Sequence, residues 1–168
     1  PYVYPYTYDV QDLSNTNQSP SMQHIFGTDA HGRDLFIRVI YGTKVSLIVG
    51  IVASIINFTI GVAYGGVAGY LGGRADNIMM RIVDVLSTIP LTLYVILLMV
   101  WMPENRGMQN ILVAIGTVYW IGMARIVRGQ IFSLKEQEYV MAERVLGASG
   151  SRILLKHLIT NALGPIIV

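Results

Sequence analysis

The stretch VSLIVGIVASIINFTIGVAYGGVAGYLGG, residues 45–73, runs for 29 positions without a charged side chain. A helix needs only about 20 predominantly apolar residues to cross the hydrocarbon core of a bilayer. The stretch therefore reads as a transmembrane helix, and the chain as a membrane protein. Within it Gly61, Gly65 and Gly69 recur every four residues, which puts three positions without a side chain on one helix stripe. Such a stripe lets another helix approach closely. Tight helix packing is the expectation, and a pore-lining role the alternative. Gly72-Gly73 ends the helix, because glycine reaches backbone angles that other residues avoid.

The residues downstream repeat the pattern. Arg74, Asp76, Arg81 and Asp84 alternate with Ile78, Met79, Met80, Ile82 and Val83, a mixture suited to a helix lying at the membrane surface over residues 74–84. A second span is expected over 85–102, with Pro90 kinking or locally breaking it, a possible gate as well as a structural bend. Residues 103–110 read as a polar turn. A third span is expected over 111–124, ending at Arg125 and Arg128, which read as snorkelling anchors. Residues 130–157 are a charged interval, and a further span starts at 158.

Composition agrees with this reading. Only 13% of the residues are charged, against about 25% in an average soluble domain, and the mean hydropathy is +0.53. There is no cysteine, which excludes disulfides, thiolate metal sites and cysteine nucleophiles. The net charge of +2 does not indicate nucleic acid, since the basic residues sit beside apolar spans and form no long run. The start of the chain carries neither the basic region nor the apolar region of a signal peptide. An apolar run that stopped at Val168 would leave a helix end unsatisfied in hydrocarbon, so the chain is expected to be a fragment cut at both ends.

Loops on the cytoplasmic side of a membrane carry an excess of Lys and Arg. One set of loops holds Arg74, Arg81, Arg125, Arg128, Lys135, Arg144, Arg152 and Lys156; the other holds Arg33, Arg38, Lys44 and Arg106. This asymmetry places residues 125–157 inside the cell. It leaves residues 1–44, polar and turn-rich, as an extracytoplasmic segment ahead of a transmembrane domain over 45–168.

Few residues offer chemistry. Asp29, His31 and Asp34 could hold a metal ion, but the same cluster reads as a turn followed by a helix N-terminus, with Asp29 or Asp34 capping backbone N–H groups. The capped turn is the expectation. No HExxH pattern and no phosphate-binding loop occurs, since Gly42-Thr43-Lys44 lacks the Gly-Lys adjacency. No span carries the embedded carboxylate or lysine of an ion relay. The chain is therefore not expected to be an enzyme or to bind ATP, and any energy for transport must come from a partner. In residues 136–146, apolar positions 139, 142, 145 and 146 recur at helical spacing among charges. Gly147 then offers a stop, Ser149 or Ser151 an N-cap, and residues 152–157 a second helix.

This loop resembles a known pattern. Glu138-Tyr139-Val140-x-Ala142, Leu146-Gly147-Ala148-Ser149, Arg152-Ile153, His157, Asn161 and Gly164-Pro165 resemble the EAA-type loop of ABC importer permeases. The likeness is greatest to the second permease subunit of the oligopeptide, dipeptide and nickel group. Three more stretches match that subunit: Phe26-Gly27-Thr28-Asp29 with Gly32-Arg33-Asp34; Tyr41-Gly42 with Val45-Ser46-Leu47; and Gly69-Tyr70 with Gly72-Gly73, Asp76, Met80-Arg81, Asp84-Val85 and Pro90. Met141-Ala142-Glu143 stands where Glu-Ala-Ala is usual, and Thr160 where proline is frequent.

The resemblance implies an all-α, polytopic helical bundle, part of a type I ABC importer transmembrane domain, in the plasma membrane. It implies a translocation path shared with a homologous permease, two cytoplasmic ATPase subunits that bind the ATP, and an extracellular substrate-binding protein. The ATPase-coupling residues would be Glu138, Ala142, Glu143, Arg144, Gly147, Ala148, Ser149 and Arg152, and the cargo a peptide. A nickel or other solute importer of the same group, or a membrane scaffold without transport, are the alternatives.

Overall fold

In the computed structural model, which describes residues 5–102 and 108–167, the regular elements are helices and no strand forms among the described residues. The all-α class follows from the apolar runs, because a backbone in hydrocarbon has no water to bond and a helix satisfies its groups within one segment. The chain divides into two compact units, Pro1–Ile51 and Val52–Val168.

In the first unit Asp12 accepts a hydrogen bond from Ser14 N–H and caps the short 3-10 turn Leu13–Asn15. The chain then doubles back, with Thr28 N–H donating to the Gln18 carbonyl and an isolated bridge joining Thr28 to Asp34. Gly32 allows this: its φ is +69°, and a Cβ there would lie 1.7 Å from the Asp12 carbonyl oxygen. Helix α1, Leu35–Leu71, follows without interruption. Its 37 residues span about 55 Å at about 1.5 Å per residue, well beyond the roughly 30 Å hydrocarbon core. The expected boundary at 44/45 falls inside this helix, since no proline or turn interrupts residues 35–45.

The second unit holds the rest of α1 and then α2 (Gly73–Ser87), α3 (Leu91–Trp101), α4 (Met108–Val118), α5 (Trp120–Leu134) and α6 (Glu138–Val145). A short α7 (Gly150–Arg152) leads straight into a π-helical segment, Ile153–Ile159, and α8, Thr160–Ile167. The glycine stripe lies against α5. A Cβ at Gly65 would come within 2.3 Å of the Ala124 carbonyl oxygen, and one at Gly61 within 2.5 Å of Met123 Cβ. Large apolar side chains on the outside, among them Ile55, Leu93, Leu97 and Val100, stay exposed. Exposed apolar side chains in such number suit lipid and not water.

The second span, expected over 85–102 with a kink or local break at Pro90, is broken there: α2 runs to Ser87, α3 starts at Leu91, and the two are bent by 77°. Pro90 has an extended ψ of 138° and no N–H to donate, so the helical ladder cannot pass through it. The Ser87 and Thr88 hydroxyls bond back to the Asp84 and Val85 carbonyls. Alone, the 11 residues of α3 cover only about 16 Å. The third span, expected to end at 124, continues to Leu134 as the apolar helix Asn110–Leu134. Arg125 and Arg128 therefore lie within a helix and pair with Asp84 and Asp76 instead of snorkelling at its end. Of the polar turn expected over 103–110, residues 103–107, Arg106 among them, lie outside the described residues.

Candidate coupling site

The loop between α5 and α8 is built around a glycine. Helix α6 starts after Gln137, whose backbone is extended, and carries Glu138 in its first turn. It ends in a Schellman arrangement: Ala148 N–H donates to the Glu143 carbonyl and Gly147 N–H to that of Arg144, both at 3.0 Å. That closure requires a left-handed residue, and Gly147 supplies it with φ +82°. Ser149, extended, then accepts from Arg152 N–H through Oγ and starts α7. Helix, glycine turn, serine cap and helix thus follow one another as the residues suggested.

The faces of α6 are less simple. The apolar residues that recur at helical spacing, 139, 142, 145 and 146, are all exposed, Val145 at 88% and Leu146 at 81%. Val140 turns inward instead, packing in one cluster with Val127 and Ile131 of α5 and with Ile153 and Leu158. The helix carries two apolar edges, and the chain covers only one. Glu138, Ala142, Arg144, Ser149 and Arg152 are exposed around the uncovered edge, and Glu143 and Ala148 are half-buried. Glu143 Oε1 approaches His157 Nε2 at 3.6 Å, and Asn161 Nδ2 donates to the His157 carbonyl at 2.6 Å.

Three features of this site were not legible in the sequence. At Gly150 a Cβ would meet the Tyr70 hydroxyl at 2.7 Å, so the loop rests against the end of α1. The π-helical segment offsets the register just after the turn, and its only forewarning was an unremarkable run of Ile153, Leu154 and Leu155. The third is on α5, which leads into the loop: Arg128 Nε donates to Asp76 Oδ1 at 2.5 Å and Nη2 to Oδ2. Lys135 Nζ donates to the Gly69 carbonyl and lies 3.8 Å from the Phe132 ring centroid.

Sites expected elsewhere have structural partners. Asp29 accepts from the N–H groups of His31 and Arg33 and from the guanidinium groups of Arg33 and Arg38. Asp34 caps α1 by accepting from Ile37 N–H and pairs with buried His24 at 2.8 Å. These carboxylates serve the turn and the helix start.

Residues 57–168 match the family described as binding-protein-dependent transport system inner membrane component. The chain belongs to this family. It is 51% identical over its whole length to the dipeptide transport system permease protein DppC of Bacillus subtilis, and 48% identical over 97% of its length to the oligopeptide transport system permease protein OppC of the same organism. It is also 45% identical over its whole length to OppC of Haemophilus influenzae. The chain spans about half the length of these curated relatives, 52%, 53% and 54% respectively. As a member of this inner membrane family, with helices long and apolar enough to span, it is a multi-pass protein of the plasma membrane. The glycine turn lies within the matched region.

Proposed function

We propose that this chain is part of a permease subunit of an ATP-driven importer of oligopeptides or dipeptides, and that residues 138–152 are where cytoplasmic ATPases act on it. One observation carries the reading: the uncovered apolar edge of Tyr139, Ala142, Val145 and Leu146 beside the Gly147 turn. A cytoplasmic loop that leaves Val145 and Leu146 in water gains by covering them, and a cleft in an ATPase would do so. The relatives' names, permeases of peptide transport systems, support the choice of cargo.

In this reading the chain is not an enzyme and binds no ATP. It forms the translocation path with a homologous permease in the bilayer, two cytoplasmic ATPases hydrolyse the ATP, and an extracellular substrate-binding protein delivers the peptide. The short helix that begins at Ser149 sits in the ATPase cleft, with Arg144, Arg152 and Lys156 exposed for acidic partners. Closure of the ATPases then shifts the permease between inward-open and outward-open arrangements, and the break at Pro90 is the place where the path can open.

The test is reconstitution of the full-length subunit with its partner permease, ATPases and binding protein in liposomes. ATP-dependent uptake of a labelled dipeptide or oligopeptide is expected. Uptake of nickel but not peptide would reassign the cargo, and an absence of any ATP-dependent uptake would reduce the chain to a scaffold.

A further inference from the structure

The contacts that join α5 to α2 are accounted for neither by the coupling loop nor by the cargo path. Arg128 forks onto Asp76 near the start of α2, and Arg125 Nη2 reaches Asp84 Oδ1 at 2.9 Å and Ser87 Oγ at 3.0 Å near its end. Beside the second pair, Val83 packs with Ile121 and Ala124. The two pairs are unequal. Asp84 is more than half exposed, and an ion pair in that setting contributes little. Asp76 is only 3% exposed, and its two oxygens are both taken by one planar guanidinium, an arrangement that fixes direction as well as distance.

We propose that the Asp76–Arg128 pair is the linkage through which movement of the coupling loop reaches the bent α2–α3 pair, with Asp76 and Arg128 as positioning residues. The proposal rests on the ATPase-driven reading above. Its first link is the shared cluster in which Val127 and Ile131 of α5 pack with Val140 and Ile153 of the loop, so α5 moves with the loop. The second is the buried fork. The pair cannot part without stranding a charge, so α2 follows α5. Lys135 bonded to the Gly69 carbonyl holds the α1–α2 turn to the same helix, which stops α2 from slipping along α5. What remains free is the joint beyond the far end of α2, which α5 itself holds through Val83 and the exposed Arg125–Asp84 pair. The ladder is broken there at Pro90, and the 77° bend can change without unmaking a helical hydrogen bond. Motion at the loop therefore emerges at α3.

The experiment uses the full-length subunit in its complete complex, in liposomes, with Asp76→Asn, Arg128→Gln and the exchange Asp76→Arg with Arg128→Asp. Three quantities are read: ATP hydrolysis, peptide uptake, and the mobility of a spin label on Leu93→Cys of α3, with and without trapped ATP. In the single variants, uptake per ATP should fall by about tenfold, in the range of ordinary coupling energies, and the label should stop responding to ATP. The exchange should recover most of both, since the pair's interaction survives reversal. An unchanged uptake-to-hydrolysis ratio in the single variants overturns the proposal. So does a parallel loss of hydrolysis and uptake that the exchange does not rescue, because a merely structural pair behaves that way. If the single variants fail to assemble, Arg128→Lys decides, as it keeps the charge and loses the fork: a lowered ratio supports the linkage and a wild-type ratio overturns it. If the wild-type complex shows neither ATP-dependent uptake nor a label response, the ATPase-driven reading is what has failed.

Discussion

At Gly147 the backbone matters and the surrounding space does not. Its φ of +82° costs an L-residue roughly 1–2 kcal/mol, yet nothing lies within 4 Å of where a Cβ would be. Alanine and tryptophan should therefore disturb the isolated chain alike. They should differ only where a partner fills that space. In the reconstituted importer Gly147→Ala is expected to lower uptake modestly and Gly147→Trp to abolish it, with both variants recovered in the membrane fraction; equal uptake in the two would exclude docking at the turn. Gly65 is the opposite case, because a Cβ there would lie 2.3 Å from a backbone oxygen of α5. Gly65→Ala should cost about 1–3 kcal/mol through overpacking, seen as a lower unfolding midpoint in detergent. Gly50→Ala, with no atom within 4 Å, should leave the midpoint unchanged. The four-residue spacing made the glycine stripe legible, but not which glycine meets a backbone.

At the scale of elements, the polar turn ahead of α1 and the break after α2 show how local chemistry ends or starts a helix. Burial pushes the Asp29 carboxyl up, but the N–H groups of Arg33 and His31 and the Arg33 guanidinium outweigh it and hold the group well below the usual carboxylate range. In the unfolded chain Asp29 titrates near about 3.9. A lowered folded value means that its contribution is complete above that pH and is lost as the pH falls from about 4 toward the folded value. Hydrogen-exchange protection at the His31 and Arg33 amides, corrected for intrinsic rates, should fall in that window. In Asp29→Asn the protection should be low and flat across it. The cap at Asp34 and the turn at Ser149 were legible because their signals lie within three residues of what they bond. The bend at Pro90 was legible as a position. Its size was not, since a proline kink and a complete break share one sequence.

At the scale of the whole molecule, the exposed apolar helices suit a bilayer, and the distribution of Lys and Arg predicts that residues 125–157 lie inside. The absence of cysteine in this stretch makes the arrangement directly testable. In intact cells, a cysteine replacing Ile40, an exposed residue early in α1, should react with a membrane-impermeant maleimide. One replacing Val145 should react only after permeabilisation. The reverse pattern would invert the topology and remove the loop from any ATPase.

The sequence by itself determined the membrane class, the first span, the glycine stripe, and the helix–turn–helix around Gly147. Each of these depends on hydropathy or backbone preference read over a few residues or turns. Only the tertiary structure decided which edge of α6 is covered, because Val140 and Val145 are equally apolar and differ in what lies opposite them. The tertiary structure also turned Arg125 and Arg128 from membrane anchors into ion-pair partners. Their carboxylates lie 41 and 52 residues away, and a contact at that separation depends on how α2 and α5 pack, which no local preference records.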